Sequence, residues 1–403
     1  MTIQTSSAIP VVMYHTVGRP ISDWAWSFLT VPYKIFESHL RWLVKAGYQT
    51  VDLYELHAHV SGEKILPGRS VVLTFDDGYL DNWGYVAPLL SKYGLKGTVF
   101  VNPEFVDPRD IIRPTLKEVW AGKIQEEDIP VRGFMSWPEL KMLADSGPLS
   151  IQSHAMTHTW YPTGDQIIDF HHPGDGVYWL DWNEYPEGKP FYLKSPENSR
   201  VPFGTPIYQH EKSLAARKFS PSPEEISGIV KYVEENGGKL FFNQPGWREK
   251  LLYVSHELRE ANPGAALFES DQEQKARFRY ELLGSKKTLE RRLDRPMNFL
   301  CWPGGGYNKK SQTMALEIYT AVTLSSADKN PAKNKVGEDA RFIRRIGVPS
   351  LSGGKKIYYF NGNYFIYFLD EFRGESLVRQ KRQFLKLLKV VSVRSAAFFH
   401  GLD

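Results

Sequence analysis

Cysteine is nearly missing from this chain: Cys301 is the single one in 403 residues. An internal disulfide framework and any Cys-cluster metal site are therefore excluded, and the composition fits a reducing compartment. An excess of one charge is lacking too. Fifty basic and 46 acidic residues leave a net +4, a balance that calls for no nucleic-acid partner. No apolar run approaches the ~18–20 residues that a membrane-spanning helix requires. Met1 to Ser7 offer neither the basic segment nor the apolar stretch of a secretory leader, so a cytoplasmic protein is the expectation. There is no phosphate-binding G-x4-GK[ST] loop, no HExxH and no G-x-S-x-G elbow. Asp76-Asp77-Gly78 does not open an EF-hand, because Ala87 or Pro88 stands where the twelfth-position Glu is needed.

What is present is a core-building sequence, 42% hydrophobic and 24% charged, which excludes a disordered or fibrous chain. Short apolar runs at 11–15, 71–75, 97–101 and 149–153 read as buried strands. Between them, Phe36, Leu40, Leu43 and Val44 mark one helix, and Val86, Leu89 and Leu90 another. A third starts at Ser136-Trp137-Pro138-Glu139, with Ser136 as N-cap. This β-α rhythm predicts a parallel sheet or barrel with helices outside. It lapses from about Tyr161 to Ala265, a stretch rich in Pro, Gly and aromatics, before a helix near 223–236. It resumes with a helix over 274–293, a strand over 297–302, the close-approach turn Gly304-Gly305-Gly306, and strands at 321–324 and 342–348. The expected organisation is one barrel over 8–350, including an insertion at 161–270, with a C-terminal extension at 351–403.

Parallel α/β folds carry their sites at the C-terminal ends of strands. Two carboxylates, Asp76 and Asp77, follow the strand at 71–75, and His154-Ala155-Met156-Thr157-His158 follows the one at 149–153. An H-x3-H pair lets two imidazoles reach one cation. One Asp with two His makes a three-ligand set suited to Zn²⁺ or another divalent ion, with a position open for water. The other Asp stands beside it as a base. Such a centre hydrolyses an amide or ester.

The segment 71–78, Val-Val-Leu-Thr-Phe-Asp-Asp-Gly, resembles the first motif of the polysaccharide deacetylases, the NodB-homology domain of carbohydrate esterase family 4. Ser153 to His158 resembles the second motif, Val11 to His15 the Tyr-His strand that opens many bacterial members, and Phe299 to Tyr307 a third-motif loop of the Tyr/Trp-Pro-x-Gly branch. The likeness covers residues 10–105, 134–158 and 274–348. It implies a distorted (β/α) barrel of seven or eight parallel strands and metal-dependent removal of acetyl from an N-acetylated amino sugar, polymeric or lipid-linked. By the same resemblance Asp76 is the catalytic base, and Asp77, His154 and His158 hold the metal, most simply Zn²⁺. Trp302, Pro303 and Gly304 would wall the sugar groove, and the backbone N–H of Tyr79 would serve the oxyanion.

Three departures stand out. Ala155 replaces a usual Ser or Thr, Cys301-Trp302 stands where the third-motif Arg is expected, and Arg344-Arg345 occupy the strand that usually brings the acidic His. His15 is the candidate proton donor in its place. Arg344 or Arg345 can supply the cation beside Asp76, but strand alternation lets only one face the centre; Arg345 is also taken as a substrate contact. Within the insertion His171, His172, Asp175, Tyr178, Trp179, Trp182 and Tyr185 are candidates for a lid or sugar-stacking wall. The tail sets Phe384, Leu387, Leu388 and Val391 on one helical face among Arg379, Lys381, Arg382, Lys386, Lys389 and Arg394. A basic amphipathic helix of this kind can lie on an anionic membrane or pack on the barrel. Two other functions stay open: a non-catalytic glycan-binding relative, and hydrolysis of another C–N bond such as a cyclic imide or ureide.

Overall fold

A computed structural model of the chain describes residues 8–21, 27–191, 199–264, 266–324, 332–353, 356–375 and 378–400, with side chains to 390 in the last helix. Met1 to Ser7 and the side chains of Val391 and Arg394 lie outside the described residues.

The strands that build and flank the site are β1 (Val11–Tyr14), β2 (Gln49–Thr50), β3 (Ser70–Phe75), β4 (Gly97–Val101), β5 (Leu149–Ser153), β6 (Trp160–Phe170), β7 (Pro206–Lys212), β8 (Phe299–Leu300), β9 (Ala321–Thr323), β10 (Phe342–Ile343) and β11 (Ile346–Gly347). Eight of them form one curled sheet in the order β10-β9-β8-β5-β4-β3-β1-β11, with β2 paired to β3. All its pairings are parallel. Parallel strands are covered on both faces and read as unbroken apolar runs. All six residues of β3 are buried accordingly, and each large aliphatic side chain there contributes about 1.5–3 kcal/mol.

The expected strand at 342–348 is not one strand. It breaks at Arg344-Arg345, and its halves pair at opposite ends of the sheet, Phe342–Ile343 on β9 and Ile346–Gly347 on β1. Ile343 and Ile346 are three residues apart, which limits their separation to about 10 Å. The sheet therefore curls into a distorted (β/α) barrel of eight parallel strands, stitched at its seam by two arginines.

Helices cover the outside. Tyr33–Lys45 buries Phe36, His39, Leu40 and Leu43 and stops before Gly47, which takes φ +71°. Trp137–Ser146 begins at a capping box between Ser136 and Glu139. The long amphipathic segment at 271–293 is interrupted by a π-helical turn, Tyr280–Gly284.

The insertion holds what the sequence pattern did not announce, an antiparallel hairpin of β6 and β7 with register shifts between Pro162 and Asp169. Behind it Pro223–Glu235 packs on Trp247–Ala261 around Phe170, Ile229, Val233, Phe241 and Leu251. The glycine turn after β8 does make a close approach: a Cβ on Gly306 would sit 2.3 Å from Lys212 Cδ. The C-terminal segment adds a hairpin (Ser350–Gly353 with Lys356–Tyr359), a helix Gly362–Phe372 that sends Phe365, Ile366 and Leu369 into the main core, and a last helix Val378–His400.

Candidate functional site

β3 delivers the adjacent carboxylates into two environments. Asp76 continues the strand, donating its backbone N–H to Tyr14 O at 3.0 Å. Asp77 (φ +72°) and Gly78 (φ +74°) are both left-handed, a conformation costly for a non-glycine residue and concentrated at functional sites. The reversal turns Asp77 toward the loop after β5 while Asp76 faces the barrel seam.

Asp77 Oδ1 lies 3.0 Å from His154 Nε2 and 3.3 Å from His158 Nε2. The loop bends through Ala155 (φ +57°) and His158 (φ +45°) to bring both rings in. His154 Nδ1 donates to Cys301 O at 2.9 Å, so in the neutral imidazole it is Nε2, facing Asp77, that carries the lone pair. Asp77 Oδ1 is buried, yet no hydrogen-bond geometry satisfies it. Two imidazole nitrogens and an orphaned carboxylate oxygen thus converge on one point. Their spacing matches the roughly 3.3 Å between ligands of a tetrahedral ion with bonds of ~2.0–2.1 Å. The donor set fits a divalent metal.

Asp76 is gripped from the seam. Arg345 Nη1 and Nη2 donate to its Oδ1 and Oδ2 at 2.6 and 2.9 Å, a bidentate pair between two nearly inaccessible side chains. Cys301 Sγ stands 2.9 Å from the guanidinium and 3.5 Å from the carboxylate. His15 Nε2 lies 4.0 Å from Asp76 on the other side. Burial opposes ionisation of Asp76, but Arg345, then His154 and His15, outweigh it and hold the carboxyl below its ordinary range.

These groups open on a cavity of about 340 Å³ lined by His15, Asp76, Asp77, His154, His158, Tyr79, Trp302, Gly304 and Arg345 among others. Of the residues expected to meet substrate, Tyr79 presents its ring, stacked on Phe134 at 5.1 Å. Leu80 N and Gly78 O bond across to Gly133 and Met135, so the N–H of Tyr79 turns to the opposite side. Trp302 stacks on Tyr307 at 4.7 Å. Pro303 does not line this cavity; it faces a small crevice with Lys212, Ser213 and Glu281. Arg345 reaches the cavity wall; its Nη1 and Nη2 are engaged by Asp76 and Cys301, while its Nε is buried without a hydrogen-bond partner.

Trp182 of the insertion joins Trp160 and Phe105 in an aromatic wall. Trp160 and Trp182 stand 5.6 and 6.4 Å from the His158 ring, and Phe105 packs edge-on to Trp182 at 5.1 Å. The other insertion candidates are elsewhere. His171 pairs with Asp175 at 2.7 Å and rests on Phe203, His172 lies beside Phe242 and Trp247, and Trp179, Tyr178 and Tyr185 pack in the cluster behind Trp182. Asn102, Phe105, Phe134 and Glu281 were not expected at the site. Asn102 has a signal, since it follows the end of β4 as the other site residues follow theirs.

Residues 63–169 match the polysaccharide deacetylase family. YxkH of Bacillus subtilis (strain 168), which bears the polysaccharide deacetylase name, is 40% identical over 150 residues, 37% of this chain and 43% of that protein. The poly-beta-1,6-N-acetyl-D-glucosamine N-deacetylase of Escherichia coli (strain K12) is 28% identical over 149 residues, 37% of this chain and 20% of that protein. The chain thus spans less than half the length of these curated relatives. Among solved structures, the BpsB deacetylase domain of Bordetella bronchiseptica aligns with 85% of this chain and 96% of that one at 18% identity and a TM-score of 0.48. Residues 63–169 thus match a polysaccharide deacetylase, or NodB-homology, domain.

Proposed function

Proceeding from that domain, we propose that the protein is a metal-dependent de-N-acetylase acting on an N-acetylated amino sugar of a polysaccharide or lipid-linked glycan. The observation that carries the reading is the convergence of Asp77, His154 and His158 beside a separate carboxylate, Asp76, on one cavity. Bound there, a divalent ion such as Zn²⁺ supplies Lewis acidity that polarises the amide carbonyl and acidifies water.

Asp76, kept ionised by Arg345, takes a proton from the attacking water as its oxygen bonds to the acyl carbon. The Tyr79 N–H is assigned to the oxyanion that develops. The C–N bond then breaks, His15 passes a proton to the leaving nitrogen, and acetate and a free amine result. His15 suits this role because it lies across Asp76 with a quarter of its side chain exposed. Replacing Asp76 with Asn is expected to lower acetate release by about 10²–10⁴-fold while metal content is unchanged. Wild-type release rates in Asp76→Asn would remove the base assignment.

A membrane-surface contact is proposed on a second observation. Among the described residues no helix is long and apolar enough to cross a membrane. The helix Val378–His400 carries six Lys and Arg and no carboxylate, and Phe384, Leu387 and Leu388 are each more than half exposed. Apolar exposure with cations alongside suits an anionic bilayer. Sedimentation with phosphatidylglycerol vesicles, lost in Phe384→Ser/Leu387→Ser, is expected; equal sedimentation of both proteins removes the contact.

A further inference from the structure

The backbone of residues 154–157, which joins the two metal-binding imidazoles, is held from outside by groups that perform no chemistry themselves. Its carbonyls are met on one side. Asn102 Nδ2 donates to His154 O and, at 3.3 Å, to Ala155 O; Ser285 Oγ donates to Ala155 O at 3.0 Å and Lys189 Nζ to Thr157 O at 3.0 Å. Its N–H groups are met by one carboxylate. Glu281 Oε2 accepts from Met156 N at 3.1 Å and Thr157 N at 3.0 Å, while Oε1 accepts from Thr157 Oγ1 and Ser213 Oγ, both at 2.5 Å. Two successive N–H groups aimed at one anionic oxygen form the concave arrangement that backbone uses to bind anions. The side chain that fills it belongs to this same chain, and Glu281 is almost wholly inaccessible.

The placement of Glu281 is itself unusual. It lies in the π-helical turn Tyr280–Gly284; such turns are rare and occur frequently at functional sites. The turn directs Glu281 inward while its neighbour Tyr280 reaches out to Glu104 at 2.7 Å. The loop needs an external brace because Ala155 has no side-chain group to steady it from within, and both Ala155 and His158 sit in the left-handed region. Ser213, just beyond β7, ties the insertion to the same carboxylate.

We propose that Glu281 is a positioning residue for the metal centre, fixing the loop so that the His154 and His158 nitrogens meet Asp77. The inference rests on the ligand set assigned above. Outer-layer partners that orient metal ligands typically govern affinity by about 10–100-fold. In full-length Glu281→Gln, where the amide NH₂ cannot accept the donors aimed at it, Zn²⁺ affinity measured by chelator competition is expected to fall by that factor. The rise in melting temperature on Zn²⁺ loading should shrink with it. A purely structural role would lower the melting temperature of metal-free and loaded protein alike and leave the increment intact.

If Glu281→Gln does not fold, Thr157→Val decides, since it removes one donor from the loop side; a weaker loss, several-fold in affinity, is expected. Zn²⁺ affinity within about twofold of wild type in whichever variant folds overturns the proposal. Failure of the wild-type protein to bind any divalent ion instead overturns the ligand set, and with it the proposed function.

Discussion

The residues that face the cavity and those that stand behind them obey different rules of placement. Asp76, Asp77, His154 and His158 sit within five residues of a strand end and come in tight sequence clusters. Their supports come from everywhere: Arg345 from the seam, Glu281 from a π-turn, Lys189 from the insertion, Asn102 from the end of β4. Chemistry here is local in sequence, whereas precision of geometry is not. A support is dispensable only if the facing residue holds its position unaided, and three substitutions measure that.

The largest effect is expected at Arg345. Arg345→Leu leaves Asp76 buried without its partner, a loss of about 3–5 kcal/mol by analogy with broken buried pairs. The Asp76 carboxyl then rises, so the acid limb of the kcat/KM–pH profile moves to higher pH. Chemical denaturation and a pH–rate profile together check this. An unmoved acid limb would show that Asp76 stays ionised without the guanidinium.

Asp81, four residues past the motif's second carboxylate, is next. Burial pushes its carboxyl up to about 8, despite bonds from Val17 N and Asn82; Asn82 in turn donates to His15 O at 3.2 Å. A folded-state value above the unfolded one means stability is full below about pH 4 and declines as pH rises toward 8. The slope is at most about 1.4 kcal/mol per pH unit. Asp81→Asn should flatten the unfolding free energy across that window. An unchanged slope would place the pH dependence elsewhere.

The smallest effect is expected in the aromatic wall. Trp182→Ala removes one face of the box around His158. Aromatic contacts contribute about 0.5–1.5 kcal/mol each, so KM for an N-acetylated oligosaccharide should rise roughly three- to tenfold with kcat little changed. A comparable fall in kcat would mean that the wall orients His158 and does not merely hold sugar.

The same contrast explains what the sequence made legible. Strand ends at 75 and 153, the helix at 33–45 and the Ser136 capping box follow from short-range patterns, and so do the facing residues. The hairpin of β6 and β7 was invisible because Tyr161 to Phe170 lacks the alternation of a strand with one buried face; it runs half-exposed along most of its length. The split of 342–348 was hidden because both halves are apolar, and only the closure of the sheet assigns them to different ends. Glu281 looks like any charged residue of an amphipathic helix until the π-turn rotates it inward. Of the two arginines, strand alternation limits the centre to one, and the bidentate pair with Asp76 shows that it is Arg345.

The stitch at the seam also dates the assembly of the site. Asp76 is translated early, while the guanidinium that neutralises it lies 269 positions downstream. Bringing such distant segments together is slow and is rewarded only when the intervening chain has condensed. A polypeptide emerging from the ribosome therefore holds Asp76 without its charged partner until the final barrel residues dock.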